Sequence, residues 1–215
     1  EPESRLAIAP NVVISAVSIP NTKLLLRLRD SFNNLMDEVD DGIGDPFAGL
    51  NLSGTGTKAS MERLDLLLSG TLKSNWVTAL TAVNLDPGYS MRGTPGVAYA
   101  SSSIVTSASA SSIAPSTSPA PTSAAPTEGC CSGLLITEIL PNPVGSDTEE
   151  WIEIGNVGSR PVPIAGLLLS TGTGTTQKTF AIPSDASGGL LLPQTFRSFR
   201  NNQSHLPLLN DGTIV

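Results

Sequence analysis

Histidine, cysteine and charge are what this sequence has least of. Its one histidine, His205, follows Asn201-Asn202-Gln203-Ser204, a polar stretch with no nucleophile set beside it by a motif. Neither Gly-x-Ser-x-Gly, a phosphate-binding Gly-rich loop nor His-Glu-x-x-His occurs, so the usual hydrolase, nucleotide and zinc-protease signatures are missing. The two cysteines, Cys130 and Cys131, are neighbours. A bridge between them would close a strained ring, so partners in another chain or free thiols are expected. Neither a disulfide framework nor a zinc site is written here. Charged residues make up only 14% and the net charge is −7. Phosphate binding needs clustered Lys and Arg, which argues against nucleic acid as a partner. No apolar run approaches the roughly 18 residues of a membrane span, and no basic-plus-apolar leader opens the sequence. It starts at Glu1 and stops inside the apolar run Thr213-Ile214-Val215, as expected of a piece of a longer protein.

Small residues take the place of the missing charge. In residues 101–127, 24 of 27 are Ser, Thr, Ala or Pro and none is charged. Such a stretch cannot bury enough apolar surface to offset its ordering entropy, so a linker is expected. Pro115, Pro119, Pro121 and Pro126 stiffen its second half toward polyproline II. The chain therefore divides into 1–98, a low-complexity linker at 99–132, and 133–215.

On both sides of the linker the pattern is β. Leu24, Leu26 and Leu28 alternate with Lys23, Arg27 and Arg29, the mark of a half-buried antiparallel strand. Asp30 to Asn34 is turn chemistry, and Leu35 to Val39 returns to complete a hairpin. Met61 to Leu68 fits a short helix or a strand. Trp76 is expected as a core or rim aromatic. Past the linker, Leu134 to Leu140 reads as a strand with Leu134, Ile136, Glu138 and Leu140 on one face, ended by Pro141-Asn142-Pro143. Glu150 to Ile154 is the next, with Ile152 and Ile154 on one side and Trp151 and Glu153 on the other. Val162 to Leu169 is a third strand region, with Gly166 at a bulge or close approach. Lys178 to Ile182 and Leu190 to Leu192 follow.

Carboxylates cluster twice. Asp37, Asp40, Asp41 and Asp45 share a turn with Gly42 and Gly44, and Asp147 and Glu149 lie in a second one. Calcium wants several hard oxygens, which makes these six its candidate ligands. The EF-hand spacing fails, because Val39 and Ala48 fall where the third and twelfth ligands belong, so a solvated acidic turn is the plainer expectation. Glu138, Glu149, Glu150 and Glu153 are formally able to pair as acid and base. Alternating faces make a solvated strand edge the expectation there too.

Six landmarks in order resemble a lamin-tail domain of the bacterial kind. They are Thr137-Glu138-Ile139, Pro141-Asn142-Pro143, Asp147, Glu150-Trp151-Ile152-Glu153, Asn156 with Gly158, and Val162 to Leu167 around Gly166. Leu167 departs from the pattern, which usually has Trp. The earlier part is similar to the closing half of the same domain: Asn21 to Val39, Ser60-Met61-Glu62-Arg63, Ser74-Asn75-Trp76 and Gly93-Thr94-Pro95-Gly96. The resemblance implies an all-β, immunoglobulin-like sandwich, present as two partial copies in tandem. Neither half would close its sheets alone, so the halves are expected to pack on each other across the linker. It also implies a secreted or cell-surface setting, in which such domains often accompany hydrolases such as nucleases. The functional expectation is a non-catalytic interaction or tethering module, binding a protein or cell-surface polymer, without catalytic residues or cofactor. Two alternatives stay open: the accessory region of a secreted hydrolase, nuclease or phosphoesterase, and calcium-dependent adhesion. A filament role would need heptads, and there are none.

Overall fold

The computed structural model describes residues 12–14, 19–50, 56–88, 90–97, 133–141, 150–172, 174, 177–182 and 189–201. The linker, both cysteines and His205 lie outside the described residues. Fourteen short strands fall within them: β1 (Val12–Ile14), β2 (Leu26–Arg29), β3 (Leu35–Val39), β4 (Lys58–Ala59), β5 (Met61–Arg63), β6 (Trp76–Thr78), β7 (Met91–Arg92), β8 (Leu134–Leu140), β9 (Trp151–Asn156), β10 (Val162–Pro163), β11 (Leu168–Thr171), β12 (Lys178–Ala181), β13 (Leu190–Leu191) and β14 (Phe196–Asn201). No helix among the described residues is long and apolar enough to cross a membrane.

Alternation builds the first hairpin. β2 and β3 pair antiparallel, Leu26 opposite Val39 and Leu28 opposite Asp37. Leu24, Leu26 and Leu28 are fully buried. Across the strands Arg27 Nε donates to Glu38 Oε2 at 2.6 Å. Asp30 shapes the turn: its Oδ1 accepts from the amides of Phe32 at 2.9 Å and Asn34 at 2.8 Å, a side-chain bond that mimics a backbone turn.

Strands from before and after the linker share both main sheets. One runs β12-β11-β2-β3, with β11 antiparallel to β2 and Leu169 opposite Leu28. The other runs β1-β14-β9-β8-β5-β6, with β5 antiparallel to β8. Two two-stranded ribbons, β10-β13 and β4-β7, complete the set. The expected packing of the two halves is thus seen as strand pairing. Leu24, Leu26, Leu28 and Val39 join Met61, Ile136, Ile139, Ile152, Ile154 and Phe199 in one buried cluster. Burying each such side chain contributes roughly 1.5–3 kcal/mol. The result is an all-β, sandwich-like fold.

Three readings change. Between Ile136 and Glu138 the β8–β9 register shifts. This bulge at Thr137 turns Glu138 and Leu140 to the face opposite Ile136, so the four residues do not share one face. Met61 to Leu68 is a strand for three residues only and then turns. Gly166 sits in a turn with φ of +78°, rather than in a strand bulge. β14 was not anticipated after Pro193; its alternation is interrupted by Arg197, which is buried.

The edge strand β3 is covered by the turns after β5. Gly70 O accepts from Asp40 N at 3.2 Å and from Trp76 Nε1 at 2.8 Å. A Cβ on Gly70 would overlap the Glu38 carbonyl oxygen and stand 3.1 Å from Val39 Cγ2. Gly70→Ala should therefore cost about 1–3 kcal/mol, as overpacking against backbone does. Chemical denaturation checks this, and a loss below about 0.5 kcal/mol would mean that the covering turn stands off the edge.

Candidate functional site: a row of buried glutamates

Register places three glutamates side by side. Glu62 on β5 is opposite Glu138 on β8, which in turn is opposite Glu153 on β9. They are 5%, 2% and 1% exposed. The expectation of a solvated strand edge at Glu138 and Glu153 is therefore overturned. The outer face of the six-stranded sheet is not open, because the segment leading through β7 to Gly96 lies over it. Gly93 makes the cover possible: a Cβ there would come within 3.0 Å of Glu138 Oε1 and of Ser60 Oγ.

The cover is fastened by the carboxylates themselves. Glu138 Oε1 accepts from Thr94 N at 2.8 Å and from Ser60 Oγ at 2.5 Å. Glu153 Oε2 accepts from Gly96 N, and Glu153 Oε1 from Thr137 Oγ1 at 2.6 Å. Glu62 Oε1 accepts from Thr94 Oγ1 at 2.8 Å. Like charges directly opposite on neighbouring strands repel, and buried charge is costly without full compensation. Protonation relieves both. Burial first, and then the charge of Glu153, holds Glu138 well above the ordinary carboxylate range. Burial pushes Glu153 up to about 7, against the pull of the Thr137 hydroxyl and the Gly96 amide. Burial raises Glu62 as well, opposed by the Thr94 hydroxyl. At neutral pH the row therefore carries fewer than three charges.

Beside the row is a cavity of about 20 Å³, lined by the three glutamates with Leu66, Val97 and Phe196. That is room for about one water molecule. Carboxylates held apart in pKa are the raw material of acid–base chemistry, yet here four of the six oxygens accept from the chain's own amides and hydroxyls.

The acidic turn behaves differently. Asp37 is buried and ion-paired, its Oδ2 2.8 Å from Arg63 and 2.9 Å from Ile136 N. Burial raises its pKa, and Arg63 only partly opposes this. Asp40, also buried, accepts from the amides of Asp41 at 2.7 Å and Phe47 at 2.8 Å. Asp41 and Asp45 are exposed. Two of the four are thus structural supports rather than parts of a solvated turn. Among the described residues no group of three His, Cys, Asp or Glu is arranged to hold a metal ion. Asp147, Glu149, Asn142 and Pro143 lie outside the described residues.

The other motif positions are architectural. Glu150 Oε2 accepts from Ile19 N at 2.7 Å. Pro141, Trp151 and Ile152 are buried. Asn156 Nδ2 donates to the carbonyls of Arg160 and Leu191, both at 2.8 Å, and its Oδ1 accepts from Gly158 N at 2.9 Å. No family model, curated protein or solved structure matches this chain. The glutamate row then rests on its geometry. Glu62, Ser60, Thr94 and Gly96 escaped the sequence reading as members of a site. The available signal was a lone Glu in an apolar context on three strands, Met61-Glu62, Glu138-Ile139 and Ile152-Glu153-Ile154.

Proposed function

We propose that this chain is a non-catalytic interaction or tethering module of a secreted or cell-surface protein, built on an immunoglobulin-like sandwich of lamin-tail type. The buried, internally bonded glutamate row is the observation that carries the reading. A general acid or base must come within hydrogen-bonding reach of its substrate, and here the three carboxylates are buried and bonded to Ser60, Thr94, Gly96 and Thr137 of the chain itself. Recognition then falls to exposed surface. In the turns between β5 and β6, Leu67, Leu68 and Leu72 are exposed, Leu67 by 92%. They lie within six positions of one another, and exposed apolar surface that is contiguous marks a contact with a protein or polymer.

The test pairs two variants. Labelled chain should bind bacterial envelope preparations saturably. Leu67→Ser/Leu68→Ser/Leu72→Ser should weaken that binding about tenfold or more, the loss of a central apolar anchor. Glu138→Gln/Glu153→Gln should leave it unchanged. Turnover of an ester or phosphodiester substrate by the purified chain, abolished in the glutamine variant, would contradict the reading.

A further inference from the structure

The two halves meet over an interface that does not consist of the linker. β2 pairs with β11 over four residues and β5 with β8 over two. Asp37 Oδ2 accepts from Ile136 N, and Arg63 donates to Ile136 O at 3.2 Å. Thr94 and Gly96 bind Glu138 and Glu153, and Ile19 binds Glu150. The core cluster mixes Leu24, Leu26, Leu28 and Met61 with Ile136, Ile152, Ile154 and Leu169. All these contacts join residues 19–97 to residues 133–201. Such a boundary resembles a domain core cut in two, the character of obligate interfaces. Each half supplies what the other lacks: an edge strand for each sheet, and the cover for the glutamate row.

We infer that residues 19–97 and 133–201 are complementary partners that hold each other without the covalent connection, so that a chain cut between 98 and 132 stays assembled as two fragments. The occupant of each half's open surface is the other half of the same chain. Joined covalently through residues 98–132, the two halves meet intramolecularly, at an effective concentration on the order of millimolar. At micromolar protein a second copy cannot compete with this. The inference is independent of what the module binds. It means that a cut between 98 and 132 leaves the assembled surface standing.

The experiment inserts a sequence-specific protease site between Ala114 and Pro115 of the full chain. If that insertion prevents folding, the site goes between Ser107 and Ala108. After complete cleavage, size exclusion with light scattering at micromolar concentration should give one peak holding both fragments at the mass of the uncut chain, 22.2 kDa plus the insert. Its melting temperature should become concentration-dependent, as mass action requires of two chains. Cut Asp37→Ala should dissociate at an at least tenfold higher concentration than cut wild type, about the loss of 1.4 kcal/mol or more. Separate fragment peaks under native conditions would overturn the inference. So would a cut Asp37→Ala that holds together as well as wild type, since the association would then lie elsewhere. An uncut chain that runs as a strand-exchanged dimer would replace the same-chain partner by a second copy and overturn it too.

Discussion

Replacing Arg63 by methionine is expected to destabilise the protein by about 3–5 kcal/mol at pH 8, the cost of leaving one member of a buried ion pair alone. Arg63 donates to Asp37 Oδ2 at 2.8 Å and to the carbonyls of Ile136 and Leu68 at 3.2 and 2.6 Å. Its guanidinium lies 5.9 Å from the Trp76 ring centroid. These bonds tie β3, β5 and β8 together, one strand from the four-stranded sheet and two from the six-stranded. The pair is specific without being a net source of stability. Burial raises the Asp37 pKa even with Arg63 beside it, so desolvation outweighs attraction. A raised carboxyl contributes stability that is present below about 3.8 and lost as pH climbs. Without Arg63 the loss should therefore be smaller at pH 4 than at pH 8. Asp37→Leu/Arg63→Met should recover most of the single-variant loss, because an apolar pair carries no desolvation penalty. Denaturant melts of the four proteins in the cycle check this. A double variant as damaged as the sum of the singles would mean that the two side chains act independently.

Stability should fall as pH rises from 5 to 8. Glu153 moves from an ordinary 4.5 to about 7 on folding, and Glu138 moves in the same direction. The sign follows from linkage: stability from a raised carboxyl is full below about 4.5, declines through the folded value near 7, and is flat above it. At about 1.4 kcal/mol per pH unit, the Glu138–Glu153 pair together contributes on the order of a few kcal/mol. Asp30 works the other way at low pH, because the Asn34 side chain lowers its pKa and acid removes that contribution. Maximal stability near pH 5 is the expected compromise. Glu153→Gln should gain about 2 kcal/mol at pH 8 and little at pH 5, since the amide is the neutral isostere of the protonated acid. Its oxygen would still accept from Gly96 N, and its amide would donate to Thr137 Oγ1. A Gln variant that loses stability equally at both pH values would show the carboxylate to be ionised and needed as such.

What was legible in the sequence follows from local rules. The β2–β3 hairpin is written in Leu24, Leu26 and Leu28 alternating with basic residues and in the Asp30 turn, because period two and Asx chemistry act over a few residues. β8, β9, β11 and β12 are legible as short apolar stretches bounded by Pro and Gly turns. Register between distant strands is not local. Nothing near Glu138 announces that Thr137 bulges, or that Glu62 and Glu153 become its neighbours, and alternation alone places Glu138 beside Ile136. Burial of the outer face was hidden as well, since it depends on Gly93 to Gly96 folding over it from the other half of the chain. The same cause hid Asp37. In sequence it belongs to an acidic turn, and in the fold it reaches Arg63 and Ile136 N.

Site-resolved carbon NMR titration of the glutamate carboxyls, on the intact chain, reads out whether the two halves are assembled. Glu138 and Glu153 are buried only if residues 94–96 of the first half lie over β8 and β9 of the second. Assembly of the two halves therefore predicts that Glu153 titrates near 7 and Glu138 well above 4.5. Titration of both near the ordinary 4.3 or so of a solvated glutamate would put the row in water, and the two halves apart.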